Sequence, residues 1–293
     1  SVFRLFDDAG YHTTFLHPGD AWFYNRENVY QWLGAQDILF APDFQDSQSK
    51  GRWVTDETVA RNLIDRYEDS MAAGTPVMDY AVTIQNHMSY TEEKYGDYAC
   101  PEGETTAELS PEIQTAVNVY AEGIRDANAM LAELTEFYSA QEEPVLLLFF
   151  GDHLPYLGDN RQGYIELGLS AAEIYGGEDP YAAYTAPFLL WCNEAAAQEL
   201  DFEAAIEALE LPGDGRISAC YLGAAVLELC GRGEVSPWFG YLNEMRRELP
   251  IMHGGVFETA DGALTTELSG EQAQLLSKMR CWAYYKLRYG TVG

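Results

Sequence analysis

Basic residues are scarce in this chain of 293 residues. Lys and Arg number 17 against 47 Asp and Glu, and the net charge at pH 7 is −30. Proteins that bind nucleic acids neutralise phosphates with a basic face, so this charge excludes nucleic acid as a partner. The same charge disfavours simple adsorption to an anionic membrane. An anionic ligand therefore needs a local cation, either a metal ion or a placed Arg.

Long apolar runs and paired cysteines are also missing. No stretch approaches the roughly 18 consecutive apolar residues of a membrane-crossing helix, so we expect the chain as it stands to be soluble. The five cysteines form no CxxC pair and no zinc-type spacing, and they leave the redox compartment open. No linker or internal repeat divides the sequence, and we predict a single domain over residues 1–293.

The most informative stretch is VLLLFFGDHLPYLGDN at 145–160. Its apolar part, 145–150, is too short for a typical helix and predicts a strand buried on both faces, as in a parallel sheet. Asp152 and His153 follow directly, where ligands of open α/β sheets gather. A carboxylate beside an imidazole suits Zn²⁺ or Mn²⁺. Two ligands are too few for a complete site, and the sequence offers no obvious partner cluster.

Strands and helices alternate along the chain, which predicts parallel βαβ units. Further strands are predicted at His12–Leu16, 38–40, 80–84 and 187–192. Helices are predicted at 25–33, from Thr55 or Asp56 to about 72, from Ser110 onwards, at 217–229 and at 269–289. The polar segment 91–110 is predicted to be an exposed loop, and 176–180 part of an irregular surface excursion. The fold class is therefore α/β, with a largely parallel central sheet flanked by helices on both faces.

Three of the five histidines, His17, His87 and His153, each follow a predicted strand. A single histidine is more often a hydrogen-bonded structural residue than a ligand. Three that converge on one edge of one sheet favour a functional site instead. We assign structural roles to His12, which starts a strand, and to His253, which lies in a Gly-Gly loop.

The segment HPGDAWFYNR at 17–26 places an Arg and several aromatic residues beside the same edge. The planar guanidinium of Arg26 matches the oxygens of phosphate or sulfate. The alternative is that Trp22 and Phe23 belong to the core and that Arg26 caps a helix or pairs with Glu27. The neighbouring histidines favour oxyanion binding.

Several segments together carry a family resemblance. They are GDHLPYLGDN at 151–160, VTIQNH at 82–87, HPGDAWFYNR at 17–26, YTAPFLLWCN at 184–193, ISACYLG at 217–223 and YYKLRYG at 284–290. In this order they resemble the sulfatase-type extracellular domain of lipoteichoic acid synthase-like phosphoglycerol transferases, which belong to the alkaline phosphatase superfamily. The resemblance implies the α/β fold of that superfamily without its N-terminal part.

The resemblance also implies roles for individual residues. Asp152 and His153 correspond to paired ligands of a divalent metal, Mn²⁺ by preference with Mg²⁺ or Zn²⁺ as alternatives. His87 corresponds to the histidine that contacts the transferred phosphate. The headgroup-binding segment contributes His17, Asp20, Tyr24 and Arg26. Tyr24 replaces the Trp that the family usually has there, and the spacing around Gly-Asp differs by one residue on each side.

In the family, a nucleophilic Thr and an acidic metal ligand lie upstream of the matched segments. We therefore expect this chain to lack them, to be inactive alone and to bind divalent metal weakly. The parent protein is expected to carry upstream transmembrane helices that display the domain on the extracellular face of the membrane. Loss of neighbouring strands would expose a sheet edge through which two copies could dimerise.

The implied function is metal-dependent transfer of phosphoglycerol from a phosphatidylglycerol-like lipid during cell-envelope polymer synthesis. The nucleophile attacks the phosphodiester, and an acceptor hydroxyl resolves the covalent intermediate. Two alternatives stay open. One is a sulfatase or phosphodiesterase of the same superfamily, acting on a sulfate or phosphate ester, and the other is a non-catalytic binding domain.

Overall fold

The computed structural model describes residues 1–169 and 179–289, so part of the predicted excursion at 176–180 lies outside the described residues. The chain forms two compact units, Ser1–Asn193 and Glu194–Gly293. The boundary directly follows a strand that ends at Cys192.

The first unit contains seven strands and five α-helices among its described residues. The strands are β1 (His12–Leu16), β2 (Asp37–Leu39), β3 (Ser49–Lys50), β4 (Trp53–Val54), β5 (Val77–Ala81), β6 (Leu146–Phe150) and β7 (Phe188–Cys192). The helices are α1 (Val2–Asp8), α2 (Arg26–Leu33), α3 (Asp56–Ala73), α4 (Pro111–Ser139) and α5 (Gln162–Glu166).

A parallel sheet in the order β2–β1–β5 forms the centre of this unit. Phe15 of β1 pairs with Ile38 of β2 and with Tyr80 of β5. Every residue from Thr13 to Leu16 is fully buried, because β1 is covered on both faces.

Successive side chains of β1 enter different apolar clusters, as the two-residue period of a strand requires. Phe15 packs with Phe3 of α1 and Phe40, and Tyr30 of α2 contacts this cluster. Leu16 packs on the other face with residues of α3 and α4; these are Val59, Ala60, Leu63, Tyr67, Met130, Leu134 and Tyr138. Helices therefore flank both faces of the parallel sheet, and the predicted fold class is confirmed.

The long helices begin where the sequence indicated. The side chain of Thr55 caps α3 by accepting a hydrogen bond from the Thr58 amide, and the helix ends at Gly74 in the left-handed conformation. Pro111 occupies the first turn of α4, where its missing N–H costs nothing.

The prediction that residues 145–150 belong to the parallel sheet is wrong, although they do form a strand. β6 pairs antiparallel with β7, with Leu148 opposite Leu190, in a separate sheet of two strands. Phe150 and Phe188 are also opposite each other and both are exposed, so the run is not buried on both faces. An apolar run indicates a strand but carries no information about its direction or its partners.

Two further boundaries differ from the prediction. The strand predicted at 80–84 ends at Ala81, although the Val82 amide still donates to the Leu16 carbonyl at 2.9 Å. The helix predicted at 217–229 begins as a 3₁₀ turn at Ala219–Tyr221 and continues as an α-helix over Leu222–Leu229.

The second unit combines helices with an antiparallel sheet. Its helices include Glu194–Leu200, Phe202–Ala208, Leu222–Leu229, Pro237–Glu248 and Gly270–Tyr289, and its strands, in the order β10–β9–β8, are β8 (Ile251–His253), β9 (Val256–Glu258) and β10 (Leu264–Thr265). Across the described part of the chain, no helix is both long enough and apolar enough to cross a bilayer.

Candidate functional site

His17 follows β1 and is held by backbone groups from both neighbouring strands. Its amide donates to the Leu39 carbonyl at 2.9 Å, and its Nδ1 lies 2.8 Å from the Val82 carbonyl oxygen. A carbonyl only accepts, so Nδ1 carries the proton and Nε2 is left as an acceptor in the neutral ring. Only 1% of the surface of His17 is exposed.

The environment of His17 favours this neutral form. Burial lowers the pKa of His17, and the charges of Arg26 and His87 lower it further. The hydrogen bond to the Val82 carbonyl and the carboxylate of Asp20 act in the opposite direction. The charges of Asp20, Arg26 and His87 therefore all act on His17.

Arg26 begins α2 directly after Tyr24 and Asn25, which both have a left-handed backbone with φ of 56°. Such conformations cost about 1–3 kcal/mol each in residues other than Gly and are concentrated at functional sites. The guanidinium carbon lies 5.3 Å from the centre of the Tyr24 ring and 5.5 Å from that of Phe23. Arg26 Nη1 is buried and finds no hydrogen-bond partner among residues 1–169 and 179–289.

The aromatic residues of this segment are not core residues. Trp22, Phe23 and Tyr24 are all exposed, so the alternative that placed Trp22 and Phe23 in the core is wrong. The Tyr24 ring forms an accessible surface beside the guanidinium of Arg26.

His87 lies in the loop after β5, and each residue of Gln-Asn-His is fixed by a different contact. Gln85 Oε1 accepts from the amide of Asp56 at 2.7 Å. The Tyr90 hydroxyl donates to the Asn86 carbonyl at 3.0 Å, and the Lys94 ammonium donates to the His87 carbonyl.

The ring of His87 is oriented by two further neighbours. Its Nδ1 lies 2.9 Å from the Met88 carbonyl, and the Trp53 ring centre lies 6.1 Å from its own. As in His17, Nδ1 donates to a carbonyl and Nε2 stays available.

Asp152 and His153 project from the end of β6. Their side chains are 83% and 66% exposed, and His153 Nε2 lies 3.5 Å from Asp152 Oδ2. His153 Nδ1 lies 2.8 Å from the Leu154 carbonyl. The Asp152 carboxylate adds to the effect of burial in raising the pKa of Tyr80 and of Tyr90, so it lies near β5 and the loop that carries His87.

The three predicted site histidines thus share one arrangement, in which Nδ1 bonds a backbone carbonyl and Nε2 has no hydrogen bond to any described residue. His12 differs, because its Nε2 is bonded to Asp37 Oδ2 at 2.8 Å, in keeping with a structural role. Asp20, Arg26 and His87 each act electrostatically on His17. Asp152 acts in the same way on Tyr80 of β5 and on Tyr90 of the loop that carries His87.

The donor set at Asp152 and His153 covers only part of the coordination sphere of a metal. A carboxylate and a free imidazole Nε2 are suitable ligands for Mn²⁺ or Zn²⁺. No group of three or more His, Cys, Asp or Glu able to hold a metal occurs within the described ranges. The residues present therefore do not complete a metal site by themselves.

The sequence analysis missed Trp53 and Lys94, which support His87. Lys94 lies in the segment predicted to be an exposed loop, yet it is 5% exposed and Tyr95 beside it is also buried. The sequence signal for this contact was Gly51-Arg52, because a two-residue turn that contains Gly is typical of a β-hairpin. This hairpin brings Trp53 to Lys94.

Comparison with known proteins identifies the family. The sequence model described as Sulfatase matches residues 1–231. The chain is also 24% identical over 236 residues to the putative cyclic beta-1,2-glucan modification protein of Rhizobium meliloti. This match covers 79% of the present chain and 33% of the relative, so the chain spans about a third of that protein's length.

Solved structures share the fold at low sequence identity. The phosphoglycerol transferase GacH of Streptococcus pyogenes, in complex with sn-glycerol-1-phosphate, has a TM-score of 0.64 and 18% identity, with 97% of this chain and 65% of that chain covered. The lipoteichoic acid synthase LtaP of Listeria monocytogenes has a TM-score of 0.56 and 17% identity, covering 99% and 72%. With the sulfatase model spanning most of its length, the chain belongs to the sulfatase family and has a fold of the alkaline phosphatase superfamily.

Proposed function

We propose that the chain is part of a metal-dependent phosphoglycerol transferase that acts on a phosphatidylglycerol-like lipid in cell-envelope polymer synthesis. The observation that carries this proposal is the buried Nη1 of Arg26, which lacks a partner among the described residues. An unsatisfied buried N–H is costly, and a phosphate oxygen would satisfy it with a charge-assisted bond. In a chain of net charge −30, a cation kept unpaired is well suited to an anionic ligand.

His17 suits the glycerol part of such a ligand. Because its Nδ1–H is donated to Val82, Nε2 of the neutral ring accepts hydrogen bonds and cannot donate one to a phosphate oxygen. A glycerol hydroxyl can donate to it. We therefore assign the phosphate to Arg26, the hydroxyl to His17, and the exposed wall of the headgroup site to Tyr24. His87 is assigned to the phosphate as the imidazolium, because only with a second proton can its Nε2 donate while Nδ1 bonds the Met88 carbonyl. Asp20 faces the same group and contributes to the field at His17.

We assign Asp152 and His153 to one edge of a divalent metal site, with Mn²⁺ preferred over Mg²⁺ or Zn²⁺. When bound, the metal would supply positive charge to the non-bridging oxygens of the phosphodiester. Its other ligands and the nucleophile would come from parts of the parent protein that have no counterpart here. The role of this chain is to bind the phosphodiester, to orient the headgroup and to stabilise the negative charge on the phosphodiester oxygens.

The proposal extends to the location of the parent protein, to its acceptor and to its association with other chains or segments. The parent would be anchored in the membrane and would display this domain on the extracellular face, where the lipid donor is available. The name of the Rhizobium meliloti relative supports a glucan hydroxyl as the acceptor. The exposed Phe150 and Phe188 support association through the edge of the β6–β7 sheet, with a second copy or with another segment of the parent.

Hydrolysis of a sulfate or phosphate ester is the second candidate, favoured by the family model that matches the chain. The guanidinium of Arg26 would bind the oxygens of a sulfate ester in the same way. Transfer and hydrolysis differ only in whether a hydroxyl or water resolves the intermediate, so analysis of the products distinguishes them.

The test is release of diacylglycerol from a fluorescent phosphatidylglycerol analogue in the presence of Mn²⁺. We expect turnover by the full-length parent, loss of turnover in its Asp152→Ala and His153→Ala variants, and none by residues 1–293 alone. Equal activity of the parent and of residues 1–293 would show that the nucleophile lies within this chain. A parent that hydrolyses sulfate esters but leaves the lipid intact would contradict the proposal in favour of the second candidate.

A further inference from the structure

We propose that Arg52, supported by Lys94, forms a second anion subsite beside His87 that binds a further phosphate group. The inference rests on the proposed function for the first phosphate. The second subsite extends the proposed function to a further class of ligand, namely molecules with two phosphates separated by a short polyol.

Arg52 lies at the tip of the hairpin formed by β3 and β4, in which Lys50 pairs with Trp53. Gly51, the other turn residue, has a φ of +61°. A Cβ at this position would lie 2.9 Å from the Cα of Tyr95 and closer still to the Lys94 carbonyl oxygen. Glycine therefore permits a close approach that fixes the hairpin tip, and Arg52 with it, against the backbone of 94–95.

A single indole connects Arg52 to the candidate phosphate site. The guanidinium carbon of Arg52 lies 4.7 Å from the centre of the Trp53 ring, and that ring lies 6.1 Å from the imidazole of His87. A guanidinium held over an aromatic ring by a cation–π contact still has N–H groups that can bind the oxygens of a phosphate.

Lys94 places a second positive charge at the same indole. Its Nζ lies 4.3 Å from the centre of the Trp53 ring and donates to the His87 carbonyl. Burial, followed by the charge of Arg52, lowers the pKa of Lys94 to about 8. Two like charges near one ring repel each other unless an anion compensates them.

Among the described residues, Asp56 compensates Lys94 in part, whereas Arg52 has no such partner. Arg52 is exposed and has neither an ion pair nor a hydrogen bond with any residue in the two described ranges. By contrast, Lys50 of the same hairpin binds Glu122 at 2.6 Å and Asp126 at 2.8 Å. In a chain with 47 acidic residues, a cation left uncompensated beside a phosphate site indicates a place for another anion.

The test is calorimetric titration of residues 1–293 with sn-glycerol-1-phosphate and with glycerol 1,3-bisphosphate. The variants are Arg52→Gln and, as a matched control, Arg61→Gln, which removes one charge from an exposed pair with Glu57 on α3. We expect the wild type to bind the bisphosphate about tenfold more tightly than the monophosphate. Arg52→Gln should abolish this preference and leave monophosphate affinity within about twofold, while Arg61→Gln should behave as the wild type.

The outcomes of this titration distinguish failure of the second subsite from failure of the proposed function. Monophosphate binding without a preference for the bisphosphate, or an equal loss in both variants, would overturn the subsite alone. Failure of both ligands to bind would overturn the subsite and the proposed function together. Bisphosphate binding that depends on Arg52, without monophosphate binding, would support the subsite and contradict the glycerol phosphate site.

The stoichiometry of the monophosphate identifies the source of the second phosphate. A second equivalent that binds the wild type and is lost in Arg52→Gln supports a phosphate on a separate acceptor molecule. One equivalent, together with a bisphosphate preference, supports two phosphates on the same ligand. Matching thermal transitions of Arg52→Gln and the wild type would establish that the exposed turn tolerates the substitution.

Discussion

Gly19 lies directly against the imidazole of His17. A Cβ at position 19 would come within 3.0 Å of His17 Cδ2 and closer still to Nε2. The ring cannot turn away, because Nδ1 is bonded to the Val82 carbonyl and the residue is buried. Gly19 therefore leaves room for Nε2 at the position where we propose that it accepts the glycerol hydroxyl.

Substitution of Gly19 by Ala should weaken binding of sn-glycerol-1-phosphate by about tenfold, because the added methyl group displaces or covers Nε2 of His17. The measurement is calorimetric titration together with a thermal melt. Gly213→Ala is the control, since a Cβ there would meet nothing within 4 Å. Unchanged affinity in Gly19→Ala would contradict the assignment of His17 to the headgroup.

Replacing Arg26 by Gln should reduce phosphate binding by more than about tenfold without lowering the melting temperature. The guanidinium makes no ion pair within the described ranges, and its buried Nη1 is unsatisfied, so little folding energy is lost with it. Arg26→Lys retains the charge but not the planar fork and should recover only part of the affinity. A fall in stability as large as the fall in binding would show that Arg26 is structural instead.

The sequence predicted those features that depend on neighbouring residues. The cap at Thr55, the Pro at the start of α4 and the strand at β1 are local patterns, and each was found where expected. His17 and His87 could be selected because the ends of parallel strands share one edge of the sheet, and β1 and β5 are indeed neighbours.

Features that depend on distant residues could not be predicted in the same way. The polar surroundings of Lys94 suggested exposure, but Trp53, Tyr90 and Tyr95 surround its ammonium. Lys94 is buried because the β3–β4 hairpin places Trp53 beside it. The antiparallel partner of β6 was hidden for the same reason, since a run of apolar residues does not state what it pairs with.

The chain alone should bind Mn²⁺ more weakly than about 1 μM, because Asp152 and His153 are its two assigned donors and most of the coordination sphere is left to water. Their exposure also means that no rigid surroundings fix their geometry. Calorimetry or the electron paramagnetic resonance of free Mn²⁺ measures this, with Asp152→Ala as the control. Stoichiometric sub-micromolar binding would contradict the prediction, as would a melting temperature that falls when chelator is added.

Asp56 is the first residue of α3 and is 1% exposed. Its Oδ1 has no hydrogen-bond partner among the described residues. Burial and the nearby charge of Asp126 raise the pKa of Asp56 from 3.8 to about 7, with a smaller opposing effect of Lys94. The folded protein thus retains a proton on this carboxyl at a pH where the unfolded chain has lost it.

Asp56 should therefore make the protein less stable as the pH rises. Between the two pKa values the folded state binds more protons than the unfolded state, so stability decreases by up to about 1.4 kcal/mol for each pH unit and levels off above the folded pKa. Urea unfolding of the wild type and Asp56→Asn from about pH 5 to about pH 8 isolates this contribution, because Asn cannot titrate. We expect the stability of Asp56→Asn relative to the wild type to increase with pH and then level off. Asp65→Asn, an exposed position on the same helix, should show no such trend. Parallel pH profiles for the wild type and Asp56→Asn would mean that Asp56 ionises with little cost in the folded protein.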